Sequence, residues 1–264
     1  MTVRKMRLVL ATLMLVAFVL GANTQAQAAG VSATSVRFLV LMYHYISTPP
    51  AGSDIYRIGL SVTPEHFQQQ MQWLKDNSYT VLTGEQAADA LATHSPVPAH
   101  SVLLTFDDGY EDAYTTAFPI LKQFGFSGTF FVITNFVDQN QPGYLTWGQA
   151  VEMAHAGMSI EDHTRTHDYM LLADHTQDWL NDQIAGAAAD IQSHTNVRVR
   201  LFAYPSGRYD RYALMALKTA KIDGAFTTAG GVAGIWRNPL TQPRLRIRYT
   251  TTLLEFSDEL SLYD

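Results

Sequence analysis

Ser101-Val102-Leu103-Leu104-Thr105-Phe106 is a short apolar run that breaks into Asp107-Asp108-Gly109. A run of this length, bounded by turn residues, reads as a buried strand. The two acids then stand at its C-terminal end, where Asp-Gly also favours a turn. Side chains alternate across a strand, so two adjacent carboxylates there point different ways. They suit two separate tasks better than one shared proton.

Working outward, the same pattern repeats. Val36 to Tyr43 is a second apolar run, and it ends in His44. Thr63-Pro64-Glu65 supplies a helix N-cap with proline at the first helical position, followed by Phe67, Met71 and Leu74 at helical spacing. Tyr79 to Leu82 reads as a short strand, Glu85 to Thr93 as a helix, and Ser95 to Ala99 as a proline-containing loop. Beyond the acids, helices are expected over 113–124, 147–156, 177–194 and 211–221. The intervening strands are expected over 128–133, 158–160, 199–204 and 224–228. Leu245 to Tyr249 is the last expected strand, with an amphipathic helix around Leu253 to Leu262. Strands alternating with helices imply a parallel sheet covered by helices, either doubly wound or closed into a barrel. No internal repeat or domain boundary interrupts the alternation.

Composition narrows the setting. The chain has 264 residues, 47% of them hydrophobic and 16% charged, enough for one domain with a large core. Its formal net charge of −6, with no Lys/Arg run, excludes a nucleic-acid footprint. Arg4, Lys5 and Arg7 precede an apolar run from Leu8 to Leu20, and Ala26-Gln27-Ala28 has the small-x-small form of a signal-peptidase site. The run is shorter than the roughly 20 residues of a spanning helix. Residues 1–28 therefore read as a secretory signal, leaving residues 29–264 as one exported domain, secreted or wall-associated, with no stable membrane insertion. There is no cysteine, which removes thiolate catalysis and cysteine-based zinc sites.

Four polar clusters follow expected strands, and in parallel α/β proteins those ends gather on one face, where active sites are built. They are His44, Asp107-Asp108, His163 with His167, and Tyr204-Pro205-Ser206-Gly207. Two histidines four residues apart can place both imidazoles on one side. With one carboxylate they make a metal site that keeps positions open. Tyr204-Pro205-Ser206-Gly207 reads as a tight turn that exposes backbone N–H groups to an oxyanion or substrate. The remaining histidines, His66, His94, His100, His155, His175 and His194, read as ordinary surface or packed residues.

Thr105 to Tyr110, His163-Thr164-Arg165-Thr166-His167 and Phe202 to Gly207, in this order, resemble the motifs of the polysaccharide deacetylases. These are the carbohydrate esterase family 4 enzymes with the NodB-homology domain. The likeness runs from about Phe38 to Thr250. It implies a distorted (β/α) barrel of about seven parallel strands and hydrolysis of N-acetyl groups on a polysaccharide. By the same resemblance Asp107 is the general base, and Asp108, His163 and His167 hold one divalent ion, zinc by default, with cobalt or nickel as alternatives. The family's late histidine motif is absent, since Pro243 to Arg248 contains no histidine. His44 at the first strand instead resembles the branch that includes poly-N-acetylglucosamine deacetylases, which makes it the expected acid. The arginine that usually contacts the base is replaced by Ala203, leaving Arg244 and Arg246 as candidates. Glu161-Asp162 before the first metal histidine is expected to orient a ligand imidazole or to add charge near the metal. An O-acetyl esterase and a non-catalytic carbohydrate-binding barrel are the competing readings.

Overall fold

Strand β1, Arg37–Tyr43, is the hub around which the sheet is built. In the computed structural model, which describes residues 33–171 and 173–263, it pairs in parallel with β2, Ser101–Phe106, over five residues from Leu39↔Val102 to Tyr43↔Phe106. The parallel order continues through β3 (Thr129–Val132), β4 (Ser159–Asp162), β5 (Leu201–Ala203) and β6 (Gly224–Phe226). A seventh strand, β7 (Leu245–Arg246), lies parallel to the other edge of β1, with Leu245 opposite Leu41. Just before it, Gln242 bridges to Phe226: Thr227 N donates to Gln242 O, and Gln242 N to Ala225 O. Residues 242–246 thus cross from β6 to β1 and close a seven-stranded parallel barrel, the distorted (β/α) barrel expected from the sequence.

Alternation along the strands produces two apolar layers. Leu39, Leu41 and Tyr43, with Val102, Leu104 and Phe106, belong to the large cluster that includes Phe67, Met71 and Leu74 of the helix Pro64–Asp76. Phe38, Val40, Leu103, Phe131, Leu201, Ala203 and Phe226 form the second cluster, with Ala87, Ala88 and Leu91 of the helix Gly84–Thr93. That helix covers the N-terminal strand ends: Gly84 faces Ser159 and Thr129, and Leu91 faces Gly224. Full burial of a Leu or Phe side chain contributes about 1.5–3 kcal/mol. The barrel is thereby packed at its N-terminal end, and the C-terminal ends remain for chemistry.

Several expected boundaries move. The strand expected over 158–160 is Ser159–Asp162, so Glu161 and Asp162 belong to the sheet. The last strand stops at Arg246 rather than Tyr249. The helices expected over 113–124 and 177–194 each contain a π-helical stretch, Ala113–Ala117 and Asp182–Gly186. The loop expected over 95–99 contains Val97–Pro98, which pairs with Thr34–Ser35. Short helices at Ile55–Gly59 and Thr134–Asp138, and the strand Ala233–Gly234 antiparallel to β1, were not expected. The signal segment, residues 1–28, lies outside the described residues. Among the described residues no helix is long and apolar enough to cross a membrane.

Candidate active site

The C-terminal ends of β1, β2, β4 and β5 deliver His44, Asp107, Asp108, His163, His167 and Ser206 to a cavity of about 360 Å³. Ile55 and Tyr56 at its mouth, and Thr228, Arg246 and Arg248 on another wall, complete much of the lining. Tyr204 and Pro205, expected beside Ser206, are buried and are not part of that lining. The Tyr204 ring stacks on Tyr209, and its hydroxyl donates to Leu240 O at 2.9 Å. A buried tyrosine needs a partner for its hydroxyl, and here the partner lies away from the cavity.

The adjacent acids have different surroundings. Asp107 is held by the fully buried Arg244, whose Nη1 donates to Oδ1 and Nη2 to Oδ2, both at 2.7 Å. Arg244 Nη1 also donates to Thr105 Oγ1, and Nε to Thr227 O. Burial pushes the Asp107 carboxyl up, but the charge and hydrogen bonds of Arg244 outweigh it and hold the carboxyl below its ordinary value. His44 Nε2 stands 3.9 Å from Asp107 Oδ2. Burial lowers the His44 imidazole below its ordinary value, against the opposing pull of Asp108 and Asp107. Of the two candidate replacements for the missing arginine, Arg244 makes the contact. Arg246 lines the cavity instead.

Asp108 turns the other way, with φ at +73°. A non-glycine residue in this left-handed region is held there by its surroundings, at a cost of about 1–3 kcal/mol. Thr164, His167 and Ser206 share the same strained region. The turn brings Asp108 Oδ1 within 3.2 Å of His163 Nε2 and 3.3 Å of His167 Nε2. His163 Nδ1 lies 2.7 Å from Ala203 O. A carbonyl can only accept, so Nδ1 carries a proton, and in the neutral imidazole, the form that ligates a metal, Nε2 presents a lone pair. That lone pair faces Asp108 Oδ1, a buried oxygen with no hydrogen-bond partner. Two facing lone pairs repel unless a cation lies between them. The three donor groups lie within 4.8 Å of one another, and two imidazoles with a carboxylate suit a borderline divalent ion. The residues present therefore fit a metal.

Glu161 and Asp162 do not orient an imidazole. Glu161 Oε2 accepts the backbone N–H groups of Arg200 and Leu201, both at 2.9 Å, and its Oε1 accepts from Ser159 Oγ. Burial raises its carboxyl to about 7. Asp162 Oδ1 accepts from Thr164 N at 2.6 Å and so fixes the turn that follows His163. The orienting partner of His163 is the Ala203 carbonyl, a backbone group whose role needs no particular residue type.

Residues 94–225, half of the chain, match the family model described as polysaccharide deacetylase. The chain belongs to the polysaccharide deacetylase family. The Bacillus subtilis (strain 168) protein YxkH is 32% identical over 208 residues, covering 79% of this chain and 70% of that protein. A Staphylococcus epidermidis poly-beta-1,6-N-acetyl-D-glucosamine N-deacetylase is 30% identical, covering 72% of this chain and 71% of the relative. Among solved structures, the Streptococcus pyogenes deacetylase PplD, in complex with acetate, superposes with a TM-score of 0.78 at 30% identity, covering 85% of this chain and 98% of that one.

The turn at Ser206 gives this deacetylase a checkable feature. Gly207 has φ at +71°, and a Cβ there would collide with the Thr228 side chain and stand 2.6 Å from Thr228 N. Gly207→Ala is expected to lower stability by about 1–3 kcal/mol, through backbone strain and overpacking. Because Ser206 and Thr228 both line the cavity, turnover should fall as well. Thermal melting and a steady-state assay test this; an unchanged melting temperature would contradict the packing described.

Proposed function

We propose that the chain is a secreted, divalent-metal-dependent deacetylase that removes N-acetyl groups from an N-acetylglucosamine-containing extracellular or cell-wall polysaccharide. The observation that carries the reading is the His163 Nε2 lone pair facing the unpartnered Asp108 oxygen, beside a second, arginine-held carboxylate. The Staphylococcus epidermidis relative, named as a poly-beta-1,6-N-acetyl-D-glucosamine N-deacetylase, supports the N-acetyl substrate. The basic and apolar segment with its Ala26-Gln27-Ala28 site supports export of residues 29–264.

Asp108, His163 and His167 hold the ion, with zinc the best match to this donor set. When bound, such an ion polarises the acyl carbonyl and acidifies water. Asp107 accepts the proton of the water that attacks the carbonyl carbon, and Arg244 keeps its carboxylate ionised and aimed for that task. The Ser206 turn offers backbone N–H to the oxygen on which charge develops. The proton that Asp107 takes from water passes through His44, whose Nε2 stands 3.9 Å from Asp107 Oδ2, to the amide nitrogen as the carbon–nitrogen bond breaks, so that acetate and a free amine leave.

His44→Ala tests the proton-donor role. It should keep the fold and the metal but lose turnover on an N-acetyl oligosaccharide by about 10²–10⁴-fold, the usual contribution of a general acid. A phenolate leaves without protonation, so the loss on an aryl acetate should be much smaller. Equal losses on both substrates would make His44 a structural or substrate-positioning residue. No loss on either would place the acid elsewhere.

A further inference from the structure

Most arginines among the described residues are satisfied. Arg165 pairs with Asp182 and Asp190, Arg198 and Arg200 with Asp223, and Arg244 with Asp107. Arg57, Arg208, Arg211 and Arg237 lie over Tyr45, Tyr169, Tyr212 and Trp236. Among the described residues Arg246 and Arg248 have no ion pair within 4.0 Å, side-chain hydrogen bond or aromatic ring, and both line the catalytic cavity. Arg37 is the third such residue, and it faces a separate hollow.

Two of the nearby acids are engaged elsewhere, and Glu259, on the far wall of the second hollow, makes no ion pair with Arg248 within 4.0 Å. Asp107 accepts both bonds from Arg244, and Glu255 Oε2 accepts from Thr252 N and Oγ1 at the start of the helix Leu253–Ser261. Arg246 and Arg248 also line a second hollow of about 420 Å³, which shares Thr228 with the catalytic cavity and continues to Thr250, Glu255 and Glu259. The two guanidiniums therefore stand on the partition between the reacting centre and a space beside it. Across the two hollows Arg244, Arg246 and Arg248 stand against Asp107, Asp108, Glu255 and Glu259, so the walls are close to charge-balanced while the Arg246 and Arg248 guanidiniums keep unpaired donors.

We propose that Arg246 and Arg248 form a subsite for a carboxylate carried by the sugar next to the one that loses its acetyl group. The inference rests on the deacetylase reading and narrows its substrate to an acidic N-acetylated polysaccharide. Guanidinium groups match carboxylate geometry, and each can donate two parallel N–H bonds. The second hollow holds the acidic sugar while the acetyl group lies at Asp107. The carboxylate belongs to a uronic acid ring or to an ether-linked acid side chain, and the two differ in reach from the sugar ring.

The test has a kinetic arm and a binding arm, both on the metal-loaded protein. Acetate release is compared on a neutral chitooligosaccharide, a hyaluronan oligosaccharide carrying uronic acids, and peptidoglycan glycan strands stripped of peptide, which carry ether-linked acids. The readout is the ratio of kcat/KM on acidic over neutral substrate, so a general loss of activity cancels. Wild type should prefer one acidic substrate by about tenfold or more at low salt, the preference should shrink at high salt, and Arg246→Gln/Arg248→Gln should abolish it. Arg246→Lys/Arg248→Lys keeps the charge and should retain part of the preference, which separates recognition from damage to the fold. The acidic substrate that is preferred identifies the source of the carboxylate.

In the binding arm, oligogalacturonate, which has no acetyl group to lose, should bind wild type about tenfold more tightly than cellohexaose, and the Gln double variant should lose that difference. An acid-to-neutral ratio near one, or a preference unchanged in the Gln variant, overturns the subsite. If no substrate releases acetate while oligogalacturonate binding still depends on the two arginines, the subsite stands and the deacetylase reading fails.

Discussion

Asp107→Asn is expected to cut acetate release by about 10²–10⁴-fold or more while leaving the metal bound. Asparagine keeps the shape of the side chain but cannot take a proton, and Asp107 is not one of the three groups that converge on the metal position. Asp108→Asn should do the opposite first: it replaces an anionic donor by a neutral amide facing the His163 lone pair, and metal affinity should fall along with turnover. The two variants are adjacent in sequence, so a shared folding defect would affect both alike. Metal content measured together with turnover separates the roles. If Asp107→Asn loses the ion while Asp108→Asn keeps it, the assignments are reversed.

The second large effect belongs to Arg244. Arg244→Gln leaves the Asp107 carboxylate buried without its counter-charge, and breaking such a pair typically costs roughly 3–5 kcal/mol. Asp107 should then become harder to ionise, because burial pushes it up and Arg244 supplies the largest opposing influence. A carboxyl whose folded pKa is depressed stabilises the protein above its unfolded value, and that stability is lost as the pH falls through the folded value. Arg244→Gln should therefore lower stability at neutral pH more than at acid pH. Arg244→Lys should rescue only in part, since an ammonium cannot make two parallel bonds to one carboxylate. The double variant Asp107→Asn/Arg244→Gln should recover stability relative to Arg244→Gln alone but no activity. Urea or thermal unfolding across pH checks each expectation, and an additive double variant would contradict the coupling.

Much of this was legible in the sequence because burial leaves a periodic trace. The apolar runs before His44, Asp107 and Tyr204 located β1, β2 and β5 to within a residue or two, and the strand-end rule placed the polar clusters on one face. The apolar pattern of residues 158–160 ends before Glu161 and Asp162, yet both belong to β4. Here three donors satisfy Glu161, and they come from Ser159 and from the backbone of Arg200 and Leu201 where β5 begins, which local patterning cannot reveal. The pairing of Arg244 with Asp107 spans 137 residues and depends on how residues 242–246 cross the closing gap of the barrel. Sequence narrowed the partner to Arg244 or Arg246, and only that crossing decides between them. The sequence pattern groups Tyr204 with the turn it precedes, whereas its ring belongs to the core. The short helix at the cavity mouth, Ile55–Gly59, has too few residues to display a period.

The most direct test of the central claim is metal content and acetate release measured in the same samples, before chelation, after it and after readdition of zinc. The account predicts one divalent ion per chain in the active protein, loss of ion and acetate release together, and joint recovery with zinc. His163→Ala should fail to recover either. Full acetate release from metal-free protein would contradict the account.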